Sequence, residues 1–150
     1  MGHDRIRLVL GSATLVAGIA TAGSLWFSFG LGLVPCDLCW YQRILMYPLV
    51  VVLSVATIEA RPAVWRTVIP LSVLGGVTAA YHSVLQATTT TCSFGGSCGA
   101  VQWQEPIFGL TIPNLSLLAF ILVTATGLSW SRMAMRRNET NITINDRTQQ

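Results

Sequence analysis

The chain has 150 residues, of which 52% are hydrophobic and only 10% charged, against about 25% charged in an average soluble domain. A water-soluble fold of this size would leave much of that apolar surface wet, so lipid is the simpler solvent. The net charge of +3 arises from 9 basic residues, all of them arginine; no basic stripe with interleaved aromatics and no zinc-finger spacing accompanies them, which argues against nucleic-acid binding.

A membrane-crossing helix needs about 20 largely apolar residues, and the chain offers four such stretches. The first span, Leu8–Phe29, lies in the uncharged stretch between Arg7 and Asp37. Its start resembles a secretory signal with an A-x-A site at Ala20-Thr21-Ala22, but the apolar run continues well past that site, which reads as a retained helix. The second span is Trp40–Ala60. Only fifteen uncharged residues separate Arg43 from Glu59, so it must borrow from Cys39, Trp40 and Tyr41. The short Arg61–Arg66 connection makes a helical hairpin with the third span, Thr67–Ala87. The stretch TTTTCSFGGSCG reads as a loop, being polar, Gly-rich and β-branched. The fourth span is Leu110–Trp130. The expected fold is an all-α, four-transmembrane-helix bundle over residues 1–131. Residues 132–150 lose apolar periodicity and read as a disordered cytoplasmic tail.

The arginines orient the bundle. Arg5 and Arg7 precede the first span, Arg61 and Arg66 join the second to the third, and Arg132, Arg136, Arg137 and Arg147 follow the fourth. Positive charge marks the cytoplasmic side, so both termini are expected inside, and the loops holding all four cysteines outside the cell membrane. Arg43 is the exception. Trp26, Phe27, Trp40, Tyr41, Tyr81, Trp103 and Phe108 gather at the outer boundary, and Trp65 and Trp130 at the inner one, as interfacial aromatics do. Sequons at Asn114, Asn138 and Asn141 read as chance, one too near the membrane and two inside.

Cysteines that merely filled space would scatter along the spans; Cys36, Cys39, Cys92 and Cys98 instead cluster in two outer loops, where disulfides form. Pro35 suits a helix's first turn. Cys36 and Cys39 then lie one turn apart at the amino end of the second span, where the helix dipole favours a thiolate. Arg43 is one turn further on. A guanidinium near the hydrocarbon boundary either snorkels to headgroups or pairs with a developing anion; the neighbouring C-x-x-C favours the second. Cys92 and Cys98, six positions apart beside Gly95, Gly96 and Gly99, suit either a mobile exchange loop or a static clip. A zinc site is disfavoured, because the spacing departs from paired C-x-x-C motifs and no outer-loop histidine joins the cysteines. The chain lacks a nucleotide-binding glycine fingerprint and a bis-His haem pattern. A quinone held in the bundle wall would match one dithiol in electrons and protons. His82, near the outer end of the third span, could bond a quinone oxygen or simply sit at the interface.

The string CDLCWYQRILMYPL, followed by YHSVLQ in the third span and a C…C loop, resembles the disulfide bond formation proteins of the DsbB/BdbC type. The likeness runs from Val34 to about Cys98 in sequence and over the whole chain in topology, and C-x-x-C-W-Y-Q-R is far more specific than a bare C-x-x-C. It implies a membrane thiol:quinone oxidoreductase that reoxidises an extracytoplasmic thioredoxin-fold thiol oxidase (DsbA/BdbD-like) and passes electrons to ubiquinone or menaquinone. Matched residue by residue, Cys36–Cys39 is the quinone-linked disulfide, with Cys39 the thiol meeting quinone. Arg43 serves quinone binding, and His82 falls near the quinone head. Cys92–Cys98 is the partner-facing disulfide, with Cys92 expected to form the mixed disulfide. Longer members separate that second pair by a loop with its own helix; five intervening residues resemble the shorter BdbC-like branch.

Two other readings stand beside it. Vitamin K epoxide reductase-like proteins share spans, thiols and quinone, but carry C-x-x-C after the loop pair, whereas here it comes first. A structural tetraspan protein with static disulfides would show cysteine states indifferent to quinone supply. A transporter would want ionisable residues in mid-span, and none stands there.

Overall fold

The four uncharged stretches fold as four helices. The computed structural model describes residues 3–88, 99–106 and 109–148. Helix α1 (His3–Leu25) runs on through a π-helical turn at Trp26–Gly30; α2 covers Asp37–Glu59; a single 3₁₀ turn, Pro62–Val64, leads into α3 (Trp65–Thr88); α4 covers Ile112–Thr148. All four are long and apolar enough to cross a bilayer. The extended backbone pairing among the described residues is one antiparallel bridge, Gln104 with Thr111. The α2–α3 hairpin forms as expected. Ala60 ends α2 in the left-handed conformation, with φ 51°, and the Arg61 N–H bonds back to the Ala56 carbonyl.

The helices pack in ring order, α1 on α2, α2 on α3, α3 on α4 and α4 back on α1. Each buries one stripe and turns apolar side chains outward as well. Leu8, Leu15 and Ile19 of α1, Val51 and Ile58 of α2, and Leu74, Val77 and Val84 of α3 are all exposed. In lipid that exposure carries no hydrophobic penalty, so association rests on close packing and interhelical polar contacts. On α3 the buried residues Trp65, Val68, Ser72, Gly75, Ala79, His82 and Leu85 recur at spacings of three and four, a heptad-like seam. Gly75 lets α4 approach: a Cβ there would stand 2.1 Å from Phe120 Cε1. Gly127 does the same for Trp65, whose Cε3 would lie 2.7 Å from an added Cβ. Polar links cross the interfaces, Thr14 to Thr57 at 3.1 Å and Thr124 Oγ1 donating to Ser72 Oγ at 2.9 Å.

Trp65 and Trp130, expected near the inner boundary, are both buried against neighbouring helices. One expectation needs correction. The segment from residue 132, expected as disordered chain, continues α4 as helix to Thr148. From Leu128 to Thr148 it contains neither Gly nor Pro, so nothing in the backbone chemistry stops a helix already nucleated in the span.

Candidate active site

Cys36 is the residue that caps α2, in extended conformation, with Pro35 one residue outside the cap rather than in the first turn. The Trp40 N–H donates to the Cys36 carbonyl at 3.1 Å and closes that turn. The closure sets Cys36 and Cys39 on one face, with their Sγ atoms 2.9 Å apart. A disulfide would hold them at about 2.05 Å. Both are free cysteines in the structure, placed side by side where the expected disulfide can form.

His82 arrives from the buried seam of α3. It is 1% exposed, its Nε2 lies 3.8 Å from Cys36 Sγ, and its Nδ1 is hydrogen-bonded to the Gln42 amide at 3.0 Å. Gln42 is one turn beyond Leu38 on the inward face of α2 and is itself buried. The sequence argument expected depressed thiol pKa values. At Cys36 the balance runs the other way: the thiol is pushed up to about 12, first by its hydrogen bond with Cys39 and then by burial, while the His82 contact pulls it down. A hydrogen bond made by the neutral thiol favours the protonated form, so Cys36 holds its proton.

Arg43, also buried, turns towards α1. Its Nε donates to Ser24 Oγ at 2.9 Å; one terminal nitrogen donates to the Ser24 carbonyl at 2.8 Å and to Ser28 Oγ. Its guanidinium carbon lies 5.5 Å from the centre of the Trp40 ring, within cation–π range. The groups that receive its hydrogen bonds are neutral, so its charge is solvated but not cancelled. The π-helical turn makes this grip possible. There the Leu31 N–H reaches back five residues to the Trp26 carbonyl at 3.1 Å, loosening the end of α1 where Ser24 and Ser28 face α2. Such turns are frequent at functional sites.

Two spaces flank the dithiol. A cavity of about 490 Å³ lies between α1, α2 and α4; its walls are chiefly apolar, with one polar edge made by Cys39, Gln42, Arg43, Ser24 and Ser28. Ile19, Leu118 and Leu122 line it and are also exposed on the outer surface, so it opens towards lipid. A much smaller cleft of about 20 Å³ is bordered by Cys36, Cys39, His82, Gln86, Gln102 and Trp103, among others. Cys39 borders both spaces, Cys36 only the cleft, and His82 only the cleft. His82 thus stands on the Cys36 side of the pair.

The second pair, Cys92 and Cys98, lies outside the described residues. The chain that follows it folds over the amino end of α2. Gln102 Nε2 donates to the Val34 carbonyl at 3.0 Å, Gln86 Nε2 donates to the Ala100 carbonyl at 3.3 Å, and Trp103 packs on Phe27 with ring centres 4.8 Å apart. Sequence reasoning brought Cys36, Cys39, Arg43 and His82 into view but missed Ser24, Ser28 and Gln42. Polar side chains inside an otherwise apolar span were the available signal, since each must find a partner there.

Comparison with known proteins places the chain in a family. A family model described as "Disulfide bond formation protein DsbB" matches residues 6–130. The chain is 40% identical over 122 residues to "Disulfide bond formation protein C" of Bacillus subtilis, covering 76% of this chain and 86% of that one. It is 40% identical over 135 residues to a "Probable disulfide formation protein" of Deinococcus radiodurans, covering 80% and 86%, and 36% identical over 116 residues to one from Metapseudomonas resinovorans, covering 73% and 79%. No solved structure matches. The static tetraspan reading is set aside: the chain belongs to the DsbB family of disulfide bond formation proteins, and is a multi-pass membrane disulfide oxidoreductase.

Proposed function

We propose that this enzyme is a thiol:quinone oxidoreductase that reoxidises a thioredoxin-fold thiol oxidase outside the cytoplasmic membrane. The observation that carries the reading is the position of Cys39, the one sulfur among the described residues that borders both the lipid-facing cavity and the cleft. The cavity fits a quinone head and the start of its tail: it has the volume of a small-molecule site, apolar walls, and a polar edge with an uncancelled positive charge. Arg43 and Gln42 would hold the head's oxygens, and Cys39 would face its ring. A bound quinone supplies a sink for two electrons and two protons.

The chain's own residues do the rest. The partner's thiolate attacks the Cys92–Cys98 disulfide at Cys92, forming a mixed disulfide that its second thiol resolves, so the partner leaves oxidised and Cys92 and Cys98 become thiols. Exchange with the Cys36–Cys39 disulfide re-forms the Cys92–Cys98 disulfide and leaves Cys36 and Cys39 as thiols. Cys36 is the natural point of entry, because it faces the cleft covered by the chain leading from Cys98. His82, held by Gln42, lies where a proton on Cys36 must be kept or released. Eight of the nine arginines favour the opposite face for the cytoplasm, which puts both pairs outside.

The test is turnover by the purified full-length chain with a reduced thioredoxin-fold oxidase and a short-chain quinone, following quinone absorbance and partner thiols together. One quinone consumed per partner disulfide is expected. Partner oxidation at the same rate without quinone would overturn the reading.

A further inference from the structure

Cys36 Sγ, Cys39 Sγ and His82 Nε2 do more than adjoin: all three ligand atoms lie within 4.8 Å of one another. The sequence argument against metal leaned on the absence of a histidine near the cysteines; α3 delivers one. We propose that the reduced Cys36–Cys39 pair and His82 form a binding site for a thiophilic divalent cation of the zinc type, which exists only while the pair is a dithiol. The inference rests on the geometry of these three side chains and is independent of the quinone reading.

Tetrahedral zinc, with bonds of about 2.3 Å to sulfur and about 2.0–2.1 Å to nitrogen, separates two sulfurs by about 3.8 Å and a sulfur from a nitrogen by about 3.6 Å. The Cys36–His82 separation is 3.8 Å already. The sulfurs must part from 2.9 Å by roughly one ångström, a rotamer adjustment for side chains one turn apart at a helix end. The cation itself supplies the charge that draws both thiols to thiolates. A metal-bound histidine nearly always has its other ring nitrogen held by a hydrogen bond, and Gln42 holds His82 Nδ1. The structure sets the Gln42 amide nitrogen against Nδ1; a half-turn of the amide on binding brings its oxygen to Nδ1–H and leaves Nε2 with its lone pair towards the sulfurs.

The fourth position also has a place. The cleft that all three ligands border measures about 20 Å³, room for about one water. Gln86 borders the same cleft, and its Oε1 is buried without a hydrogen-bond partner among the described residues. It is an acceptor suited to a metal-bound water. On binding, the cation displaces two thiol protons to solvent and forms two metal–sulfur bonds and one metal–nitrogen bond; no electrons move. Oxidation to the disulfide removes both thiolates and abolishes the site. Zinc would therefore hold the enzyme reduced and stop turnover.

The experiment uses the full-length chain in detergent, free of quinone, with Cys92→Ser and Cys98→Ser so that only the described pair can bind. It is reduced with a phosphine and titrated with Zn²⁺ against a chromophoric chelator, and Co²⁺ is added separately to read thiolate-to-cobalt absorption. One Zn²⁺ per reduced chain and none on the oxidised chain are expected. His82→Gln should weaken binding at least about tenfold, and Gln42→Ala about 10–100-fold, as loss of a supporting hydrogen bond does. Equal binding by reduced and oxidised chains, or unchanged affinity in His82→Gln with thiolate–cobalt absorption intact, would overturn the proposal. An elution profile matching the parent guards against misfolding, and the Gln42 variant gives a second reading that leaves all three ligands in place. A chain that binds zinc as described but reduces no quinone would sink the proposed function alone.

Discussion

The two spaces beside Cys39 differ in every property that matters to redox chemistry. The larger, of about 490 Å³, is chiefly apolar, reaches lipid and carries the guanidinium of Arg43; the smaller, of about 20 Å³, brings His82, Gln86 and Gln102 to the two thiols among apolar neighbours and sits under the chain leading from the second cysteine pair. One suits an electron acceptor dissolved in the membrane. The other suits thiol exchange and the handling of a proton. The contrast teaches that the C-x-x-C pair acts as a partition, with Cys39 facing outward to lipid chemistry and Cys36 facing inward to protein chemistry. It follows from a single helical turn, because residues three apart share a face yet point to different neighbours along it.

The strongest way to break the comparison is Cys39→Ser. If Cys39 alone touches both sides, quinone reduction should fall by more than about a thousandfold, the scale expected when a nucleophile is removed. The mixed disulfide between partner and second cysteine pair should still form, as non-reducing gels would show. Wild-type quinone turnover would mean that electrons leave by another route. Arg43→Ala comes next. It removes charged hydrogen bonds worth about 1.5–3 kcal/mol, so the quinone KM should rise roughly 10–100-fold while partner oxidation in a single turnover is preserved. Arg43→Lys should recover little, since an ammonium cannot span Ser24 and a ligand oxygen as the planar fork does. An unchanged KM would make Arg43 an anchor for α1 and nothing more.

The cleft side is sharpened by alkylation. Cys36 keeps its proton, being pushed up to about 12, and only a thiolate reacts with iodoacetamide. With both pairs reduced at pH 8, Cys36 should label more slowly than an exposed thiol, and labelling should accelerate only as pH climbs towards 12. His82 is the contact that lowers Cys36, so His82→Ala should slow labelling by several-fold further. Peptide mapping by mass spectrometry checks both. Faster labelling in the variant would show that His82 shields Cys36 and leaves its proton alone.

Much of this partition was legible in the sequence. Gaps between charges gave the four helices, and the three-residue spacing with Pro35 put the thiols at the start of α2, because hydropathy and helix geometry are local properties. His82 was legible as a residue but not in its contacts with Cys36 and Gln42. Its place behind the dithiol follows from the seam of α3, whose members at spacings of three and four include Ser72 and Gly75, positions that a hydrophobic pattern does not pick out. The continuation of α4 to Thr148 was missed because polarity was read as disorder, although a chain without Gly or Pro extends an existing helix at little cost.

The smallest expected effect tests the least legible feature, the grip of α1 on Arg43. Ser24 and Ser28 donate nothing to catalysis themselves; they accept hydrogen bonds from the guanidinium and are positioning residues. Each neutral acceptor lost should cost about 1 kcal/mol of orientation, or about fivefold in quinone KM, with kcat unchanged. The pair should be non-additive, because both act through one side chain: once Ser24→Ala has freed the fork, Ser28→Ala has less left to remove. With Arg43→Ala in the background, neither serine change should move KM at all. That silence is the informative result. A serine effect persisting without Arg43 would mean that the hydroxyls meet the acceptor directly, and the polar edge of the cavity would then belong to α1 as much as to α2.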